Sequence, residues 1–441
     1  MRDEGMTHLS YEQMSRQRAL MEARYSRRTL LRGGAKAAGG LAATGLLGSL
    51  LAACGSSESG GAATGGTSAA GGGTVREIGL SLTEDPRIFG PAQKELGIKI
   101  EGKSDNLGNQ ITFWQQNYRQ FDIDQLNFNQ LGAIQETIRT IPTSEISAWN
   151  DQVMPLFLRP GAPGYNERSG WPIAGIYTRA SIASRRYDEF QAVPTWFGFD
   201  AFGYLEGQAK GDLDSYGAIF DPANKGHATL LNEPITTVMK VATYLEGSRQ
   251  ANFRGPINNL TKDDLAIVFR FLNARKADGQ FRLFWSDFGQ LVDLLTAGEV
   301  WIGDFWASAV AAAVEGGARA VFVNDPTEGS NGWIQGCAVS KEAGDYDAAI
   351  RYIDWSLARG VVGSILGTQG YYSPRPDTTE AVLEQQDAPS GDGSAWDYWY
   401  EGAVPDERPS LDERLRHVAD WQAYPDEFQE YSRLWTEFTA A

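Results

Sequence analysis

The chain has 441 residues, of which 39 are basic and 56 acidic, with three histidines and two cysteines. Beyond residue 53 the balance is 31 basic to 52 acidic, a net charge of about −21, which excludes nucleic acid because that partner needs a basic face. Two cysteines make no disulfide framework, and residues 74–441 suit two units of ordinary domain size.

The first stretch carries sequence signals of export. Tyr25-Ser26-Arg27-Arg28-Thr29-Leu30-Leu31 resembles a twin-arginine export motif, with the pair at Arg27 and Arg28. Ala37 to Ala53 is a mildly apolar Gly/Ala run, too short for a comfortable membrane span of roughly 20 residues, and it fits a signal h-region. Leu51-Ala52-Ala53-Cys54 resembles a lipobox, in which Cys54 is lipidated and becomes the new N-terminus. We therefore expect a signal peptide over 1–53 and a flexible Gly/Ser/Ala tether over 54–73, whose composition cannot bury a core.

Val75 to Leu82 alternates as a first strand, and Pro86 opens a helix behind the polar turn Thr83-Glu84-Asp85, with Thr83 as the expected N-cap. Leu96-Gly97-Ile98-Lys99-Ile100 is a helix stop running into a second strand. Ile111 to Arg119 is a helix, and Phe121 to Leu126 a strand ending in Asn127-Phe128-Asn129, where Asn offers both donor and acceptor but also suits a plain turn. Residues 141–191 are loop-rich, with Pro160, Gly161, Pro163, Gly164 and Gly170, and form an insertion to which no role is assigned. Val193 to Tyr204, containing Trp196, is the strand that leaves the first unit, with a crossing near Ala201 to Glu206. Glu233 precedes Pro234 and a helix; an acid there is an ordinary cap or a ligand grip. Thr261 and Ser286 start two further helices, and Leu411 to Thr439 has a helical pattern throughout.

The chemistry concentrates between Leu294 and Pro376. Val300 to Phe305 is a short apolar strand, Ala307 to Val314 a helix stopped by Gly316-Gly317, and Ala320 to Val323 a strand. Trp333 to Ser340 is the next strand, followed by helices over Tyr346 to Ala358 and Val361 to Thr368. This order predicts an α/β fold with mostly parallel sheets flanked by helices. Trp306, Trp333 and Tyr371 fall at strand or helix ends, where open α/β sheets bind ligands, although each suits an ordinary core as well.

The segments GEVWIGDFW, GSNGWIQGCAVSKEAGDYDAAIRYIDW and GTQGYYSPRP resemble the second half of a solute-binding protein of an ABC importer, of the spermidine/putrescine-binding type. The resemblance is diffuse over residues 74–441. It implies a two-lobed periplasmic-binding-protein fold of type II, with 74–203 and 334–375 as one lobe and 204–333 and 376–441 as the other. It implies ligand contact by Thr83 and Glu84 in the first loop, by Asn127 and Asn129 after the third strand, and by Glu233, Trp306, Trp333 and Gln422. Trp196 and Tyr371 join the aromatic wall, Asp85 and Asp304 are candidate counter-charges, and Thr236 and Gln335 orient the ligand. Thr236 and Gln335 stand where the family carries acids, which argues against a long polycation.

The export signals and the resemblance together imply an exported, lipid-anchored, monomeric receptor at the outer face of the cytoplasmic membrane or in the periplasm. It would take up a small organic solute, a polyamine or another amine, for ABC permease subunits, with no metal, no cofactor and no enzymatic activity. HExxH, CxxC, Walker and GxSxG motifs do not occur, and Tyr371-Tyr372 lacks the His or carboxylates of a ferric centre. The alternative is a surface-anchored hydrolase of a saccharide or peptide, which needs a carboxylate pair roughly 5–9.5 Å apart in the cleft.

Overall fold

The computed structural model describes residues 72–80, 82–105, 107–367, 370–388, 393–402 and 409–440. Arg27, Arg28 and Cys54 lie outside the described residues. Among the described residues, no helix is long and apolar enough to cross a membrane.

Two sheets organise the chain. The strands are β1 (Thr74–Gly79), β2 (Lys99–Ser104), β3 (Ile123–Asn127), β4 (Ile138–Arg139), β5 (Ile141–Pro142), β6 (Glu189–Phe190), β7 (Val193–Asp200), β8 (Phe202–Leu205), β9 (Ala228–Leu231), β10 (Phe281–Trp285), β11 (Ile302–Gly303), β12 (Ala320–Val323), β13 (Ser330–Ser340) and β14 (Val418–Trp421). The helices used below are α1 (Pro86–Leu96), α2 (Leu107–Asn117), α3 (Pro234–Gly247), α4 (Lys262–Ala277), α5 (Phe288–Thr296), α6 (Ala307–Glu315), α7 (Tyr346–Ala358), α8 (Val361–Gly367), α9 (Pro376–Leu383), α10 (Leu411–Arg416) and α11 (Phe428–Ala440).

The larger sheet runs β14-β13-β3-β1-β2, with β4 and β7 also pairing with β13. The smaller runs β10-β9-β11-β8-β12, and β5 pairs β6 apart from both. β1 is parallel to β2 and β3, while β13 is antiparallel to β3 and β7. In the smaller sheet β9 is parallel to β10 and β11, and β8 is antiparallel to β11 and β12. The class is thus mixed α/β, with parallel strands within each sheet and antiparallel ones where the chain changes sheet.

Local chemistry sets the element ends. Asp85, not Thr83, caps α1: its carboxylate accepts from the Arg87 amide, and Pro86 follows at the first helical position. Gly97 closes the same helix at φ 66°, the left-handed region where a Cβ is penalised. Thr261 and Asp264 form a capping box at α4.

The chain changes sheet at Ala201, between β7 and β8, and again between Val323 and Ser330, where β12 hands over to β13. The second crossing therefore precedes the expected boundary at 333, because Asn331 and Gly332 pair with Asp200 and Phe199 on one side and with Asp420 and Trp421 on the other. Gly332 suits this strand rather than a loop: a Cβ there would meet the Trp421 indole at 2.6 Å. The same pairing breaks the expected continuous C-terminal helix into α10, β14 and α11. Residues 376–441 are also not all in the second unit. α9 packs on α8, which packs on β7 of the larger sheet, whereas α11 packs on α3 and α4 beside the smaller one.

The insertion ties the two units together. Asn166 donates to the Ala419 carbonyl and Ser169 to Asp420 on β14, while Arg168 reaches Glu246 of α3 at 2.9 Å and the carbonyls of Phe253 and Gly255. Charge-assisted bonds of this kind contribute about 1.5–3 kcal/mol each when solvent is excluded, and less at a part-exposed site such as this. Arg168→Ala is expected to lower stability by about 1–3 kcal/mol in urea unfolding. A loss under about 0.5 kcal/mol would mean that these contacts do not hold the units together.

Candidate functional site

The expected aromatic wall assembles where the sheets meet. Trp333, on β13, lies opposite Gly198 of β7, and a Cβ on Gly198 would come within 2.4 Å of its indole. The missing side chain lets the ring lie down on the neighbouring strand. Trp196 packs edge-on to Trp333 at 5.0 Å and to Tyr371 at 5.1 Å, and Trp333 meets Tyr371 at 5.3 Å. All three contacts are T-shaped, the arrangement that puts a ring's positive edge on its neighbour's negative face. The Tyr371 hydroxyl meets the Ser308 side chain at the start of α6, so this trio touches the second unit two residues beyond Trp306. Trp306 itself stands edge-on to buried Trp285 at 4.9 Å, and Trp285 donates to the Asp304 carbonyl. Tyr372 is instead core, stacked on Phe197.

A polar chain runs beside the rings. Gln422 Oε1 accepts from Asn127 at 3.2 Å and from Asn129 at 3.1 Å, and Gln422 Nε2 donates to Asp200 at 2.8 Å. Asp200 lies 3.7 Å from the Lys240 ammonium, which also holds Asp304, itself bonded to Thr237. Asn127 ends β3 of the larger sheet and Asn129 lies in the turn after it, Lys240 is on α3 and Asp304 follows β11 of the smaller sheet, and Asp200 ends β7, the strand that leads from one sheet to the other. Lys240 and Asp304 are buried, at 3% and 1% exposure. Burial opposes the Lys240 charge, but Asp304 and Asp200 outweigh it and hold the ammonium protonated. Burial pushes the Asp304 carboxyl up, with Asp200 adding to it and Lys240 pulling it down.

Several expected counter-charges are committed elsewhere. Asp85 is the α1 cap and chelates Arg87, with both oxygens within 3.0 Å of the Arg87 Nε. Glu233 caps α3, accepting from the Ile235 and Thr236 amides at 3.1 and 2.7 Å. Thr83 is buried and donates to the Leu80 carbonyl within its own turn. Thr236 is buried in the first turn of α3. Gln335, also buried, points its amide at the Gln125 carbonyl at 3.4 Å and lies opposite both Asn127 and Trp196 in register.

Glu84 turns inward over the larger sheet, where its carboxyl lies against Gly79 and Gly102. Burial, then Glu77 and Asp124, push it up to about 10. Glu77, on β1, is pushed up to about 8 by burial, against the pull of the Tyr352 hydroxyl, and Asp124, on β3, to about 8 by burial against its bond from Gln110. These are protonated acids inside one unit, not a charged wall. Among the described residues, no group of three or more His, Cys, Asp or Glu could hold a metal ion.

Lys240, Asp200 and Ser308 were not singled out from sequence. Lys240 carried a legible signal: it is the lone charge in Ile235-Thr236-Thr237-Val238-Met239-Lys240-Val241-Ala242, on a helix otherwise buried along that stretch. A Lys in such a run needs a buried partner. Asp200 carried none, since a carboxylate at a strand end is usually solvated.

No family model matches the sequence, and no curated protein matches it. Solved structures do match in fold. The chain is similar to the spermidine/putrescine ABC transporter substrate-binding protein PotD from Streptococcus pneumoniae, with 15% identity over 83% of this chain and 98% of that one, at a TM-score of 0.59. It is similar to the Tp0655 lipoprotein of Treponema pallidum, with 11% identity over 83% and 100% of the two chains, at 0.55. It is similar to the binding protein MotA from A. tumefaciens in complex with glucopine, with 14% identity over 83% and 99%, at 0.54. The fold is therefore the two-lobed periplasmic-binding-protein fold of ABC-transporter substrate-binding proteins.

Proposed function

We propose that the chain is the solute-binding receptor of an ABC importer, which captures a small amine-type organic solute between its two units and delivers it to permease subunits. The observation that carries this reading is the junction itself: Trp196, Trp333 and Tyr371 on one unit meet the start of α6, with Trp306, on the other. Trp196 and Trp333 are buried and back the half-buried rings of Trp306 and Tyr371, whose faces suit a ligand cation by cation–π attraction, and Asn127, Asn129 and Gln422 supply orienting polar groups. Closure is a hinge motion about the crossings at Ala201 and 324–329, biased by whatever the ligand contacts on both sides. The names of the fold neighbours support the same class, one a spermidine/putrescine substrate-binding protein and another complexed with glucopine.

The chain acts without catalysis in this reading. A hydrolase gains no support, because Asp200 and Asp304, the acids at the junction, share the one Lys240 and form no independent acid and base. Export through Arg27-Arg28, lipidation at Cys54 and a tether to residue 73 complete the proposal, with a monomer held at the outer face of the cytoplasmic membrane or in the periplasm. Calorimetric titration with a panel of amines, amino acids and opine-type conjugates tests the site. Trp306→Ala is expected to weaken the solute that binds by at least about 100-fold, the effect of losing a central aromatic anchor. An unchanged affinity would remove Trp306, and with it the junction, from the site.

A further inference from the structure

The charges at the junction discriminate among amines, an inference that rests on the receptor reading. A ligand with several ammonium groups needs several carboxylates free to face it, because an unpaired buried charge is strongly disfavoured. The acids near the junction do not meet that need. Asp85 is neutralised by Arg87, and Glu233 is turned onto the amides of Ile235 and Thr236 while burial pushes its carboxyl up, with Asp304 nearby adding to it. Glu84 is protonated near neutral pH. Asp304 and Asp200 remain, and Lys240 lies between them. Between themselves, Asp200, Asp304 and the Lys240 ammonium leave a single negative charge. That charge sits on the side of Asp200, the more exposed of the two acids, with 18% of its side chain accessible against 1% for Asp304. Asp200 is also the acid that Gln422 bonds, next to Asn127 and Asn129.

We propose that Lys240 is a specificity-determining residue: its ammonium fills from within the place opposite Asp304 that a second ligand ammonium would take, so the site accepts a singly charged amine or a zwitterion and rejects di- and polyamines. Lys240 lies on α3, one turn after Thr236. Residues four apart on a helix share a face, so the side chain reaches the junction from the helix whose first turn already borders it. The geometry also explains why a buried Lys is tolerated here. Its ammonium offers three donors on a long flexible stem, and it is satisfied by carboxylates from two different elements, β7 and the segment after β11.

The test is calorimetry on the full chain with putrescine and spermidine against butylamine and 4-aminobutyrate, in the wild type, Lys240→Gln and Lys240→Met. Lys240→Gln keeps a hydrogen-bond donor to Asp304, so it carries the test if Lys240→Met fails to fold. Expected are binding of at least one singly charged or zwitterionic probe by the wild type, at least about 10-fold weaker binding of both polyamines, and a gain of at least about 10-fold for putrescine on removing the Lys240 charge. Wild-type binding of spermidine or putrescine as tight as that of the singly charged probes overturns the proposal and leaves the receptor reading standing. So does an unchanged putrescine affinity in the folded variants. Absence of binding to any probe in the wild type and both variants overturns the proposal and leaves the receptor reading to the wider panel named above.

Discussion

Raising the pH from about 5 to about 9 is expected to lower the melting temperature of this protein, with the steepest loss below about pH 8. The cause is the set of buried acids inside the larger sheet. Glu77 and Asp124 are pushed up to about 8, chiefly by burial, and Glu84 to about 10 by burial and by its two acidic neighbours. Below the ordinary carboxylate range both folded and unfolded chains bind these protons, so the acids contribute nothing to the pH slope. Above it the unfolded chain releases them while the folded chain keeps them, and stability falls as pH rises until the folded groups ionise in their turn. Glu77 and Asp124 reach that point near pH 8, and Glu84 alone carries the loss further. Asp420, pushed up to about 6 by burial, acts in the same direction at lower pH. His417, raised by its bond to Asp325, loses its contribution as pH rises through its folded value, again with the same sign.

A carboxyl that titrates one pH unit higher in the folded chain than in the unfolded one costs about 1.4 kcal/mol once the unfolded group is ionised. The set therefore represents a loss on the order of several kcal/mol between mildly acidic and alkaline solution. Glu77→Gln removes one member without changing its shape. At pH 7 it is expected to stabilise by on the order of 1–3 kcal/mol, and at pH 4 to change little. Melting curves at several pH values for the wild type, Glu77→Gln and Asp124→Asn decide it. A wild-type maximum near pH 8 to 9, or a Glu77→Gln curve parallel to the wild type, would show that these acids do not hold their protons.

Trp333→Ala is expected to cost about 3–5 kcal/mol in chemical unfolding, the range for removing a large aromatic side chain from a packed interior. Trp333 is 7% exposed and is bounded by Trp196, Tyr371 and the bare backbone of Gly198. Its loss opens a void between two strands of the larger sheet and removes two edge-to-face contacts, each contributing about 0.5–1.5 kcal/mol beyond area alone. Trp333→Phe keeps an aromatic edge in place and is expected to retain at least half of the lost stability. A Trp333→Ala loss below about 1 kcal/mol would place the ring in solvent and break the account of the junction.

Much of the architecture was legible because short-range chemistry sets it. The strand Ala320–Val323 and the helix Tyr346–Ala358 lie where hydrophobic period and caps place them. Apolar runs, Gly97 and Pro86 speak for themselves. The misread places are those where pairing between distant segments overrides local signal. Gly329 to Gly332 has the composition of a loop, yet Ser330 to Gly332 is strand because β7 and β14 flank it. Val418 to Trp421 sits in a helical pattern and is strand for the same reason.

The candidate site divides in the same way. Trp333 and Tyr371 could be named in advance as large rings at expected element ends, and Trp196 from the resemblance. Their mutual packing could not, because it depends on the register that sets Trp333 against Gly198. The acids were the least legible. Whether Glu84, Asp85, Glu233 and Asp304 face a ligand depends on what else comes near each one, and those neighbours include Arg87, two helix amides, Glu77, Asp124 and Lys240.

The amino-acid order alone determined that the chain is a mixed α/β protein with a Gly/Ser/Ala-rich stretch before residue 74, an acidic balance of charge and aromatic residues at strand ends. Those properties follow from composition and from periods of two to four residues, which neighbouring positions settle among themselves. Only the tertiary structure decided where the chain changes sheet, that residues 141–191 strap one unit to the other, and that Lys240 sits between Asp200 and Asp304. Charge balance in a buried site is a sum over groups far apart in the chain, and folding is what brings them within a few ångströms.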